Sequence, residues 1–78
     1  MVPLKMELDA RHLLCPMPVI RASAAVTQLA SGDVLSVHCT DPGALYDIPA
    51  WCRLEGHEVL EAGTRPDGDV WVTFRVRK

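Results

Sequence analysis

Val70, Val72, Phe74 and Val76 alternate with Trp71, Thr73, Arg75 and Arg77, and this period of two commits the end of the chain to a strand that buries one face. A slip of one residue would turn all four apolar side chains to solvent, so burial fixes the register. The rest of the chain must supply partner strands and a layer to cover that face. Val2, Leu4, Met6 and Leu8 alternate with Pro3, Lys5 and Glu7 and predict a first strand of about six residues. Leu35, Val37 and Cys39 alternate with Val34, Ser36 and His38 and predict a second strand, ending at Thr40-Asp41-Pro42. Glu58 to Ala62 form a short third strand, followed by a turn-rich loop from Gly63 to Gly68.

Two helices fit between these strands. Asp9 to Leu14 form a loop, and Pro16 and Pro18 suit a first helical turn, where a missing N–H costs nothing. The first helix is expected from about Pro16 to Ala30, with Ile20, Ala24, Thr27 and Leu29 as its inward stripe and Ser31-Gly32 as its stop. The second starts at Asp41-Pro42, buries Leu45, Ile48, Trp51, Cys52 and Leu54, and stops at Gly56. Pro49 either kinks this helix or restarts it with Asp47 as a fresh cap. The order βαβαββ defines an α+β fold, a two-layer sandwich with a four-stranded mixed sheet and two helices on one face. Seventy-eight residues hold one core, so residues 1–78 are read as one domain.

The formal charge is −2, with ten acidic and eight basic residues, and the longest basic cluster is Arg75-Val76-Arg77-Lys78, so direct nucleic-acid binding is disfavoured. The N-terminal residues lack an apolar signal region and no stretch approaches the roughly 18 apolar residues of a membrane span. A cytoplasmic monomer without membrane contact is expected. Cys15, Cys39 and Cys52 are too few for a disulfide framework and are read as free thiols.

Cys15 is the candidate reactive residue. It is expected at the N-cap or first position of the first helix, where unpaired N–H groups favour a thiolate and lower the thiol pKa. Pro16 and Pro18 restrict the backbone around it, and Cys-x-x-Pro, unlike Cys-x-x-Cys, offers no local disulfide partner. The same cysteine could instead simply cap the helix.

Asp9-Ala10-Arg11-His12-Leu13-Leu14-Cys15-Pro16-Met17-Pro18 resembles the signature of the TusA/SirA-like sulfur-carrier family, in which an Asp precedes a Cys-Pro-x-Pro motif. Gly32-Asp33-Val34-Leu35, Thr40-Asp41-Pro42, Asp47-Ile48-Pro49 and Gly56-His57 match further family motifs in register, from about Leu4 to Lys78. The resemblance implies that Cys15 accepts sulfur as a persulfide from a cysteine desulfurase or rhodanese-like donor and relays it to an acceptor protein. It implies tRNA thiolation or sulfur oxidation as the pathway, and no cofactor. Two departures stand out. His12 occupies a position where many members carry Gly, and Arg21 is the only base on a first helix that is often more basic.

His12 could pair with a Cys15 thiolate or lie in solvent, and Arg21 could contact a partner. Asp9 is expected to brace the loop before Cys15. Cys39 and Cys52 fall on inward faces and are read as small core residues. A zinc site is disfavoured, because no two cysteines have the spacing of structural sites. Trp71, Arg75 and Arg77 are read as a solvated sheet face. The alternative function, from another class, is a non-catalytic interaction or regulatory module on the same fold.

Overall fold

The computed structural model describes residues 3–78, so Val2, assigned above to the first strand, lies outside the described residues. The elements are β1 (Lys5–Ala10), α1 (Met17–Val26), β2 (Val34–Cys39), α2 (Ala44–Glu55), β3 (Glu58–Thr64) and β4 (Val70–Arg75), in the expected βαβαββ order. The sheet order is β1-β2-β4-β3, with β1 and β2 parallel and the other pairs antiparallel. Both helices cover one face of this mixed sheet.

The core follows from which strands are central. β2 gives Leu35, Val37 and Cys39, and β4 gives Val70, Val72 and Phe74, with Val76 just beyond it, all buried. Ala22 and Val26 of α1 and Ala44, Ile48 and Cys52 of α2 close over them. At the far end of α2, Gly56 takes the left-handed φ of 85°, and the amides of Gly56 and His57 both return to the Cys52 carbonyl. That turn lays His57 against Phe74, with ring centroids 5.6 Å apart, while Trp51 meets Phe74 edge-on at 5.7 Å.

Several expectations need correction. β3 runs on through Gly63 and Thr64, expected as loop, because both pair with β4, and α2 begins at Ala44 with Gly43 as its N-cap rather than at Asp41-Pro42. β1 continues through Asp9 and Ala10, which were read as loop, because the ladder with β2 runs on until Ala10 pairs with Cys39. α1 ends at Val26 rather than Ala30. The Thr27 amide and hydroxyl both bond to the Ala24 carbonyl, and Gln28 and Leu29 continue with tighter i→i+3 bonds. The stripe Ile20, Ala24, Thr27 faces outward, and Pro18, Ala22 and Val26 face inward instead. Between two stripes of similar apolar character, the one whose small residues let the helix approach the sheet wins. Leu54 is 83% exposed, because it lies about 200° around the helix from Cys52.

Pro49 neither restarts nor ends α2, which is one helix from Ala44 to Glu55 with the proline inside it. On the open sheet face, Arg75 and Arg77 both bond to Glu58, at 2.9 and 2.7 Å. The centre of that face is drier than alternation implies. Ser36 is buried and shares a 2.6 Å hydrogen bond with the half-buried Thr73.

Phe74 lies under both Trp51 and His57 with no exposed surface. Phe74→Ala is therefore expected to lose about 3–5 kcal/mol, measured as a fall in the urea midpoint at unchanged m-value.

Candidate functional site

Parallel neighbours β1 and β2 release the chain at the same end of the sheet, which brings the β1–α1 and β2–α2 connections together. Thr40 and Asp41, just past β2, hold the loop after β1. The Thr40 hydroxyl accepts the His12 amide at 2.8 Å, and the Asp41 carboxylate accepts the Cys15 amide at 3.2 Å. Asp9 braces the start of the same loop through Arg11, taking its backbone amide and two guanidinium bonds of 2.9 and 3.1 Å. That pairing pulls the Asp9 carboxyl down to about 2.

Cys15 is the exposed cysteine of the three, while Cys39 and Cys52 are buried. Burial pushes the Cys39 thiol up to about 11 and the Cys52 thiol up to about 12, which suits their place in the core and removes them from thiolate chemistry near neutral pH. Cys15 does not occupy the helix position expected for it. Pro16 is the N-cap, Met17 is the first helical residue, and Cys15 stands one residue outside. The helix start is also poor in donors. Pro16 and Pro18 have no N–H, and the Met17 amide bonds back to the Leu14 carbonyl at 2.8 Å.

The expected lowering of the Cys15 pKa is thus overturned. Its thiol is raised above that of an ordinary cysteine by a hydrogen bond to the Asp47 carboxylate, by desolvation, and by the charges of Asp47 and Asp41. His12 is not among the groups that act on it. His12 itself is exposed. Its backbone has φ 66°, in the left-handed region that favours glycine, the residue that the family resemblance implies for this position. Arg21 is exposed on α1 and is not drawn to the cysteine.

Pro18 is buried at the base of the helix and Pro16 is exposed beside the thiol, so the two prolines anchor opposite sides of the first turn. Asp41 and Asp47 are the two site residues that sequence reasoning passed over, having treated both as helix caps. The available signal was topological, since adjacent parallel strands must place their following loops side by side. An open depression of about 390 Å³ lies on the other face of the sheet, lined by Glu7, Asp9, Arg11, His38 and Arg65 among others. Its cations are already engaged, with Arg11 on Asp9 and Arg65 donating to His38 Nδ1 at 2.9 Å while His38 Nε2 meets Glu7 at 2.6 Å. Among the described residues no group of three His, Cys, Asp or Glu side chains is arranged to hold a metal ion.

The model for the family described as sulfurtransferase TusA matches residues 6–78. YrkI of Bacillus subtilis is 46% identical over 71 residues, spanning 91% of each chain. The sulfur carrier protein TusA of Allochromatium vinosum is 43% identical over 56 residues, covering 72% of this chain and 74% of that one. The sulfur carrier protein TusA of Pseudomonas entomophila is 49% identical over 61 residues, covering 73% and 76% respectively. Among solved structures, the SirA-like protein of Desulfitobacterium hafniense superposes with a TM-score of 0.82 at 26% identity, over 94% of this chain and 99% of that one.

Two outcomes follow from the loop geometry. Because a raised pKa leaves less thiolate at any given pH, Cys15 is expected to react with iodoacetamide with a midpoint above the roughly 8.5 of a free cysteine, while Cys39 and Cys52 stay unmodified in the folded protein. Mass spectrometry across a pH series reads both. His12→Gly should relieve the left-handed strain and stabilise the fold by about 1 kcal/mol in urea denaturation, leaving the Cys15 alkylation profile unmoved.

Proposed function

The chain belongs to the TusA sulfurtransferase family, and we propose that it carries sulfane sulfur as a persulfide on Cys15, between a donor protein and an acceptor protein. The observation that carries this reading is the partition of the three cysteines: one stands exposed beside a proline-braced helix start, and two are core residues. In the loading step Cys15 loses its proton and its sulfur attacks the outer sulfur of a donor persulfide. A new S–S bond forms on Cys15, the donor's S–S bond breaks, and the donor leaves as a thiolate that takes up a proton. No electrons are exchanged with an outside oxidant. In unloading, an acceptor thiolate attacks the outer sulfur and Cys15 departs as the leaving group.

Pro16 and Pro18 serve this reading by holding the residues around the sulfur, and Asp9 by bracing the loop through Arg11. Leu14 at 74% exposure, with Met17 and Ile20 also exposed, forms an apolar rim in the chain around Cys15 that a partner protein would cover. Donors of the desulfurase or rhodanese-like type fit the chemistry, because both present sulfur as a persulfide on a cysteine. Acceptors in tRNA thiolation or in sulfur oxidation would both fit the same step. No helix among the described residues is long and apolar enough to cross a membrane, and a cytoplasmic relay is the proposed setting.

The test is to incubate the protein with a cysteine desulfurase and cysteine, or with a rhodanese and thiosulfate, and to map added sulfur by mass spectrometry. One sulfur atom on Cys15 is expected, with none on Cys39 or Cys52. Cys15→Ser should abolish loading while leaving the melting temperature nearly unchanged, since the residue is exposed and outside the helix. Sulfur on a core cysteine with Cys15 bare would sink the assignment.

A further inference from the structure

A cysteine has one rotatable bond between its backbone and its sulfur, so whatever fixes the Cys15 backbone confines the sulfur to a few staggered places. Three contacts hold the loop. The Thr40 hydroxyl accepts the His12 amide at 2.8 Å, Leu13 packs against the core, and Asp41 Oδ2 accepts the Cys15 amide at 3.2 Å. Only the last reaches the cysteine itself. The other oxygen of the same carboxylate, Oδ1, accepts the Gly43 amide at 3.0 Å, and Gly43 is the N-cap of α2. Asp41 therefore ties Cys15 to the start of a helix that is anchored in the core through Ala44, Ile48 and Cys52. The fit is close, since a Cβ added to Gly43 would lie 3.4 Å from Asp41 Oδ1 and 3.7 Å from Asp47 Oδ2.

Asp41 is half-buried beneath a cysteine that is exposed. Sulfur transfer between two proteins is sensitive to a tie of this kind. The attacking sulfur must approach in line with the S–S bond that breaks, and two folded surfaces in contact cannot turn to find that line as a small molecule can.

We propose that Asp41 is a positioning residue for sulfur transfer: by holding the Cys15 amide it sets the sulfur where a cysteine of a docked partner protein meets it in line. The proposal rests on the reading that Cys15 carries sulfur. Asp41 acts through the Cys15 backbone and exchanges no proton in the reaction. Its loss is felt in loading and in unloading alike, because Cys15 attacks in the first and departs in the second from the same place. Small reagents approach the exposed sulfur from any side, and their reactions do not need the tie.

Asp41→Asn separates the two bonds of the carboxylate. Asn bonds its own backbone two residues on as readily as Asp does, so the Gly43 contact and the helix start are kept, while its side-chain NH2 sets a donor against the Cys15 N–H. The full chain and this variant are compared in three measurements: amide hydrogen exchange by NMR, loading from a cysteine desulfurase at varied carrier concentration, and loading from low-molecular-weight cysteine persulfide. In Asp41→Asn the Cys15 amide is expected to exchange faster with Gly43 unchanged. The maximal rate of loading from the desulfurase should fall about tenfold to a hundredfold at an unchanged half-saturating concentration. Loading from the small persulfide should be no slower than in the parent, since the Asp41 charge is among those that raise the Cys15 thiol. A merely structural role would slow both donors alike. Asp41→Ala, which lacks both bonds, should lower the melting temperature as well as the maximal rate. Unchanged exchange at Cys15, an unchanged maximal rate with the desulfurase, or equal slowing with both donors overturns the proposal. So does a higher half-saturating concentration at an unchanged maximal rate, which would place Asp41 in the partner contact instead. If the parent takes sulfur on Cys15 from neither donor, the sulfur-carrier reading falls and the positioning role with it, and the exchange data still decide whether Asp41 holds the loop.

Discussion

Pairing β1 with β2 in parallel is the constraint on which the remaining architecture depends. Antiparallel neighbours can be joined by a tight turn, but parallel neighbours need a crossover, and here α1 supplies it. The crossover forces a helix onto one face of the sheet and sends the chain out of both strands at the same end. Everything at the site descends from that coincidence: Thr40 meets the His12 amide, Asp41 meets the Cys15 amide, and the first turn of α2 brings Asp47 to the space beside Gly43 that Asp41 also borders. The Cys15 sulfur is thus set between two connections, and its surroundings owe more to β2 and α2 than to the helix that follows it.

The prolines act in two opposed ways. Pro16 and Pro18 make the helix start where it does, because a ring with fixed φ and no N–H is at home in a first turn. For the same reason they strip that turn of donors, and Leu14 takes the Met17 amide as well. A helix N-terminus that would otherwise stabilise an anion is left with little to offer, and the nearby carboxylates push the Cys15 thiol up instead.

Much of the fold was legible in the residues because burial on one face leaves a period. The alternation of Val70, Val72, Phe74 and Val76 and that of Leu35, Val37 and Cys39 fixed the two central strands, and those residues are the core. Where the period was ambiguous the reading failed. The Ala-rich helix α1 carried two candidate stripes, and nothing local told Pro18-Ala22-Val26 from Ile20-Ala24-Thr27. Cys15 itself was legible as the exposed thiol, and the left-handed backbone at His12 matches the glycine that the family resemblance implies there. Its electrostatics were not, since Asp41 and Asp47 lie 26 and 32 residues away in sequence and become neighbours only through the topology. Their own local context read as helix capping, which concealed their reach toward the sulfur.

The register of β3 against β4 shifts between Val59 and Glu61, and β3 is one of the two outer strands of the sheet. An outer strand displays unpaired amides and carbonyls to which another chain could add itself, strand upon strand. The irregularity breaks the straight row of groups that such addition requires, and Glu58 and Glu61 place charge along the same strand. The opposite border, β1, carries Lys5, Glu7 and Asp9 at exposed positions. Neither border presents an apolar, unbroken template, so recruitment into an intermolecular sheet is discouraged at both. Encounters with other proteins are left to side-chain surfaces, where recognition is selective and reversible.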